Sequence, residues 1–205
     1  MKIMLVNSSP RERGSTARAL EIIANAATRG GASVKSLWLG RGPIPDCAAC
    51  RACRASGECV FGDAVNTFAA EARSADGFIF ASPVYYAHPT AGLLAFLDRL
   101  FFSAADALRH KPAAAVFTLR RAGAVGALDA VNRHFLFAEM PIVASTYLNH
   151  AFSADGKIEK DLEGIATLEN LANNMLWLIR SLKAGRSAGI LPPENSAPRT
   201  GFLEA

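Results

Sequence analysis

The residues able to do chemistry concentrate in a few short stretches. All four cysteines, Cys47, Cys50, Cys53 and Cys59, share one segment with the spacing C-x₂-C-x₂-C-x₅-C. Three thiolates two residues apart wrap a compact corner, which suits three irons of one cubane, with Cys59 closing the fourth. A tetrahedral zinc more often takes two C-x₂-C knuckles with a longer gap between them. The run also departs from the ferredoxin pattern C-x₂-C-x₂-C-x₃-C-P, because Val60 follows Cys59. A disulfide framework is not expected without secretion. Four reduced thiols holding nothing are the alternative to a cluster, and Arg51 and Arg54 inside the motif are compatible with a cluster's negative charge.

Three loops are the other candidates. Ser8-Ser9-Pro10-Arg11-Glu12-Arg13-Gly14-Ser15-Thr16 joins an apolar run to a helical period. Free N–H groups at a helix start, together with hydroxyls, make a cradle for a phosphate dianion. Gly14 permits close approach and Arg11 offers a forked charge. No Gly-Lys-Ser, Gly-Lys-Thr or Gly-x-Gly-x-x-Gly is present. The serines alone are better read as a capped helix after a polar turn; strand, loop and helix together point to a phosphate site. Ser82-Pro83-Val84-Tyr85-Tyr86-Ala87-His88-Pro89-Thr90 is stiffened by proline near each end, and its tyrosines offer a surface for a flat ring. His88 reads as a solvent-facing loop histidine. Arg120, Arg121 and Gly123 suit an anionic ligand or the negative locus of a ring; a solvated surface or a subunit contact is the alternative.

Elements that would position these loops follow from apolar period. Met1–Asn7, 34–39, 77–81, 113–119 and 141–146 read as five short strands. Helices are expected over about 15–30, 63–73, 90–105, 125–138 and 162–183. Strict alternation implies a parallel sheet with helices on both faces, and five strands favour the order 2-1-3-4-5. In such sheets ligands bind at the carboxyl ends of the strands, which is where the loops above fall. Residues 1–184 read as one domain with a Cys-rich insert over 41–60. The stretch 185–205, rich in Pro and Gly, reads as a C-terminal arm.

The composition excludes several classes. The chain has 205 residues, 51% hydrophobic and 20% charged, too apolar for disorder. No apolar run is long enough for a membrane span. The first thirteen residues do not read as a signal peptide, so a cytoplasmic location is expected. Net charge is only +4 and the basic residues do not run with aromatics, so no nucleic-acid partner is expected. The helix over 90–105 carries Phe96, Phe101 and Phe102 on more than one face, which predicts a homodimer or homotetramer unless that helix is fully buried.

Asn-Ser-Ser-Pro-Arg-x-x-Gly-Ser-Thr at 7–16, Ser-Pro-Val-Tyr-Tyr at 82–86 and Leu-x-x-Phe-Leu-Asp-Arg at 93–99 together resemble the NADPH-dependent FMN reductase family. With the cysteine cluster, the chain looks most like that family's iron–sulfur flavoprotein branch. The resemblance implies a flavodoxin-like, three-layer α/β/α sandwich. It implies FMN, with its phosphate at Ser9, Arg11, Gly14, Ser15 and Thr16. The isoalloxazine edge would lie at Pro83, Val84, Tyr85 and Tyr86, with Arg120, Arg121 and Gly123 nearby. Two functions are compatible with it. One is an NAD(P)H-dependent reductase of a quinone, flavin or other small acceptor. The other is an electron carrier with a 4Fe–4S cluster at the cysteines and ferredoxin as donor. A receiver domain of the same topology is rejected, because Asn7-Ser8-Ser9 and Ala81-Ser82 stand where it needs acidic residues.

Overall fold

The computed structural model describes residues 1–153 and 156–196. Five parallel strands, β1 (Lys2–Asn7), β2 (Ser33–Trp38), β3 (Gly77–Pro83), β4 (Ala113–Leu119) and β5 (His150–Phe152), form one sheet in the order 2-1-3-4-5. Among the described residues six α-helices accompany them: α1 (Ser15–Arg29), α2 (Cys53–Ser56), α3 (Ala64–Ala72), α4 (Ala91–Ala104), α5 (Ala124–Phe137) and α6 (Leu162–Ser187). The expected flavodoxin-like sandwich is therefore the observed architecture.

Side chains alternate between the two faces of each central strand, and both faces are covered. Ile3, Leu5, Ile79, Ala114 and Val116 pack under α1 and α6. Met4, Val6, Phe78, Phe80 and Phe117 pack under α3, α4 and α5. That is why the strands read as continuous apolar runs. On the second face, phenyl rings of β3 are matched by alanines of β4, Phe78 with Ala113 and Phe80 with Ala115. Large beside small lets Phe68 and Phe135 pack on Phe80, and Phe96 on Phe68, at centroid separations of 5.5–5.9 Å.

Two elements differ from expectation. The fifth strand is His150–Phe152, not 141–146. The apolar signal at 142–143 is genuine, since Ile142 bridges Ala113 and Val143 N–H donates to the Ala113 carbonyl at 2.8 Å. The chain then leaves the sheet and bonds to α6 instead. Asn174 donates to the Ala144 carbonyl at 2.8 Å, and the Ser145 hydroxyl to the Thr167 carbonyl at 2.6 Å. It returns when Phe117 N–H donates to the Asn149 carbonyl at 3.0 Å. An edge strand interrupted by polar residues carries its main ladder in a stretch too short to read from period. The last helix continues past Lys183 to Ser187, through the start of the expected arm, and residues 197–205 of that arm lie outside the described residues. Among the described residues, no helix is long and apolar enough to cross a membrane.

Candidate functional site

The loop after β1 is fixed by its own polar groups. Ser9 N–H donates to Asn7 Oδ1 at 2.9 Å, Arg11 N–H to Ser9 Oγ at 3.2 Å, and Trp38 Nε1 to the Ser9 carbonyl at 2.8 Å. Helix α1 then starts behind Gly14, which has no side chain to cap it. A Cβ at Gly14 would stand 3.0 Å from Arg11 Cβ, so the glycine also lets the loop close. The first N–H groups of α1 are thereby left to an external acceptor, at the positive end of the helix dipole.

The structure divides the predicted phosphate residues into two kinds. Arg11 is exposed and Ser15 half-exposed, so both can reach a ligand. Ser9 and Thr16 are buried and already bonded; Thr16 Oγ1 lies 2.8 Å from Thr118 Oγ1 and ties α1 to the end of β4. The Ser15 hydroxyl lies 2.5 Å from that of Ser153, which brings the chain after β5 to the same place.

Ser8 and Thr90 are missed by the sequence reading and couple this loop to the one after β3. Thr90 Oγ1 donates to Ser8 Oγ at 2.9 Å, Ser8 Oγ donates to the Ala81 carbonyl at 3.0 Å, and Thr90 N–H donates to Ser82 Oγ at 2.9 Å. All three hydroxyl residues are buried. A serine or threonine spaced to reach a neighbouring strand end is too common a signal to single out beforehand.

After β3, Tyr85 and His88 exchange two backbone hydrogen bonds of 2.9 Å, closing a two-residue turn. Its central residues, Tyr86 (φ 50°) and Ala87 (φ 63°), are both left-handed. This is the pattern of a type I′ turn, usually filled by Asn-Gly. Side chains there cost of order 1–3 kcal/mol each. The turn holds Tyr86 fully exposed and Tyr85 half-exposed at the carboxyl edge of the sheet. His88 is exposed as well.

Gly123 (φ 100°) backs this turn. A Cβ there would fall 2.7 Å from Ala87 Cα, and one at Gly126 would fall 2.9 Å from the Ala87 oxygen. Gly123, predicted beside the ring, thus serves first to let the two loops touch. Next to it a cavity of about 430 Å³ opens between α5, β5 and the start of α6. Arg121 lines it, while Arg120 is exposed outside that lining.

Three aromatic side chains of the β5 region form the cavity's far wall. The His150 ring meets Tyr147 at 5.8 Å and Phe152 at 5.1 Å, both edge-on. Burial pushes the His150 pKa below the ordinary histidine value, which favours the neutral ring. Asp161 fixes this wall, accepting from Phe152 N–H at 2.6 Å and capping α6 through Gly164 N–H at 2.9 Å. Placing the strand at 141–146 hid this aromatic triplet.

The cysteines occupy a separate place, beside α4. Cys47 and Cys50 are exposed, Cys53 and Cys59 half-buried, and all four line one small hollow with Phe61, Phe102 and buried Arg99. Left-handed Ala49 (φ 52°) and Arg51 (φ 60°) bracket Cys50. Cys53 opens the short helix α2, and the Asn66 side chain holds both the N–H and the carbonyl of Cys59, at 2.9 and 2.8 Å. Among the described residues, no three His, Cys, Asp or Glu side chains form a group able to hold a metal ion.

Comparisons with known proteins speak to family and fold. Residues 1–155 match the model of a family described as NADPH-dependent FMN reductase. An iron-sulfur flavoprotein of Methanocaldococcus jannaschii is 26% identical over 192 residues, covering 89% of this chain and 100% of the relative. Among solved structures, RosB with its bound intermediate superposes with a TM-score of 0.72 at 14% identity, covering 100% of this chain and 92% of that one. A flavodoxin from the domain Archaea does so with a TM-score of 0.61 at 13% identity, over 88% and 99% of the two chains. The two superpositions speak to fold alone. With a match over three quarters of its length, the chain belongs to the NADPH-dependent FMN reductase family of flavodoxin-like oxidoreductases.

Proposed function

We propose that this chain is an FMN-dependent oxidoreductase that takes electrons from a nicotinamide nucleotide and passes them to a quinone, another flavin or a similar small acceptor. The observation that carries this reading is the uncapped start of α1 at the same sheet edge as the left-handed Tyr86-Ala87 turn. The residues fit the cofactor. The N–H groups that open α1, the Ser15 hydroxyl and the Arg11 guanidinium meet a phosphate dianion. Ser9, Gly14 and Thr16 shape that cradle from behind. Pro83, Val84, Tyr85 and Tyr86 give a rigid edge for the ring, with Arg120 and Arg121 supplying positive charge. His150 and its aromatic neighbours give the adjacent cavity an aromatic wall, with Arg121, Asp161 and Glu163 also in its lining. When bound, FMN supplies the hydride and electron chemistry, so the protein need only bind, orient and exclude water. Exposed Phe102, Leu136 and Phe137 on α4 and α5 support assembly as a homodimer or homotetramer. Steady-state oxidation of NADPH or NADH with FMN and a quinone tests the reading. Absence of turnover with both nucleotides overturns it.

The cysteine hollow favours a second reading, in which Cys47, Cys50, Cys53 and Cys59 hold a 4Fe–4S cluster and a protein such as ferredoxin is the electron donor. Support comes from the convergence of all four thiols on one hollow. As they stand the four thiols form no group able to hold a metal ion, so this reading requires residues 47–59 to close around the cluster. The relative from M. jannaschii is itself called an iron-sulfur flavoprotein. When present, such a cluster supplies one-electron transfer. Iron and sulfide in anaerobically purified protein, both lost in Cys50→Ala, are the expected result; their absence from the unaltered protein overturns this reading.

A further inference from the structure

The bulkiest fully buried side chain among the described residues is charged: Arg99, 1% exposed, in the middle of α4. A buried guanidinium must have its charge and its N–H groups met. Asp63 meets the charge, accepting from Nη1 and Nη2 at 2.8 Å each. Nη1 also reaches the Pro45 carbonyl at 3.4 Å, and the Phe61 ring covers the guanidinium at 4.6 Å. On the other edge Nε donates to Cys59 Sγ at 3.2 Å. Lysine has no equivalent geometry, because only the planar fork engages a carboxylate with one edge and keeps a further N–H for another acceptor.

We propose that Arg99 is a positioning residue for the iron–sulfur cluster: its Nε–H bond to the Cys59 sulfur favours the reduced cluster and so raises its reduction potential. This rests on the reading that the four cysteines hold a 4Fe–4S cluster. One-electron reduction breaks no bond and adds one negative charge to the cluster and its thiolates. In the titration below, dithionite supplies that electron. A hydrogen-bond donor on a ligating sulfur, and a positive charge behind it, stabilise the added charge. Asp63 acts in the opposite sense, since its carboxylate offsets part of the guanidinium's field. The two partners of one ion pair therefore pull the potential in opposite directions. A role confined to fastening the insert predicts no such opposition.

The test is an anaerobic dithionite titration of the full chain, followed by visible absorbance and by electron paramagnetic resonance of the reduced cluster. Unaltered protein is compared with Arg99→Gln and Asp63→Asn. Asparagine keeps the cap of α3, where Asp63 accepts from Val65 N–H at 3.0 Å. Arg99→Gln is expected to lower the potential by at least a tenfold change in the oxidised-to-reduced ratio, about 59 mV for one electron. Asp63→Asn is expected to raise it. Unchanged potentials with iron and sulfide retained, or shifts of the same sign, overturn the proposal. If Arg99→Gln alone loses the cluster, the sign of the Asp63→Asn shift decides. Loss from both variants assigns the pair to folding of the insert and overturns it too. Metal analysis beforehand separates these results from failure of the cluster reading, in which the unaltered protein carries no iron or sulfide.

Discussion

Two loops leave neighbouring strands of the sheet, one after β1 and one after β2, and they are held in different ways. The first is short and fastened on all sides: to itself through Asn7 and Ser9, to β2 through Trp38, and to the loop after β3 through Ser8 and Thr90. Its buried hydroxyls hold it in shape before any ligand arrives. The second is long, its cysteines are exposed or half-buried, and it is pinned at separate points, by Arg41 on the Pro10 carbonyl, the Asn66 amide on Cys59, and Arg99 on Cys59 and the Pro45 carbonyl. One site is made by the sheet itself. The other hangs beside α4, and a bound cluster would complete its cross-links. The comparison teaches that similar loop positions can give one site fastened throughout by the sheet's own polar groups and one pinned at a few points, where a bound cluster would add further cross-links.

Removing the occupant gives the largest contrast. Cys50→Ala is expected to speed proteolysis within 41–60 by roughly tenfold or more, the effect of about 1.4 kcal/mol of local stability. FMN affinity, measured by fluorescence quenching, should stay within about twofold, as expected for separate sites. A matching loss of FMN affinity would break the distinction between the loops.

The preformed loop is tested by Thr90→Val. It removes the hydroxyl that bonds Ser8 and caps α4, so a loss of about 1–3 kcal/mol is expected in urea unfolding, together with weaker FMN binding. The turn after β3 gives a smaller effect of opposite sign. Ala87→Gly relieves a left-handed alanine and should stabilise the protein by about 1 kcal/mol, while loosening the placement of Tyr86.

The smallest expected effect is on pH dependence. Because burial lowers the His150 pKa, the unfolded chain binds the proton more readily. Its contribution to stability is therefore full above about pH 6.5, the ordinary histidine value, and is lost as pH falls through the folded value. Thermal midpoints should drop on acidification, and His150→Gln should flatten that slope.

Much of this was legible before the fold was known, and the reasons are local. Apolar runs bounded by loop residues mark strands β1 to β4, and their alternation with helices implies sheet order and the edge at which loops gather. Arg11, Ser15, Tyr85 and Tyr86 could be singled out because loop chemistry sits within a few residues of a strand end. Other residues depend on contacts across the chain. His150 faces the cavity only because β5 follows an excursion that α6 satisfies. Arg99 takes its role from partners 36 and 40 residues away. One signal was available for it: a charge on the same apolar helix as Leu93, Phe96, Leu97 and Leu100, where a solvent-facing arginine is the usual reading.

The most direct measurement is the visible spectrum of anaerobically purified protein before and after addition of NADPH or NADH. Two resolved flavin bands that bleach on addition of either nucleotide are predicted, with broader absorbance beyond them when the cysteine hollow is filled. Protein without flavin bands, or with bands that neither nucleotide bleaches, would contradict an FMN-dependent reductase built on the start of α1.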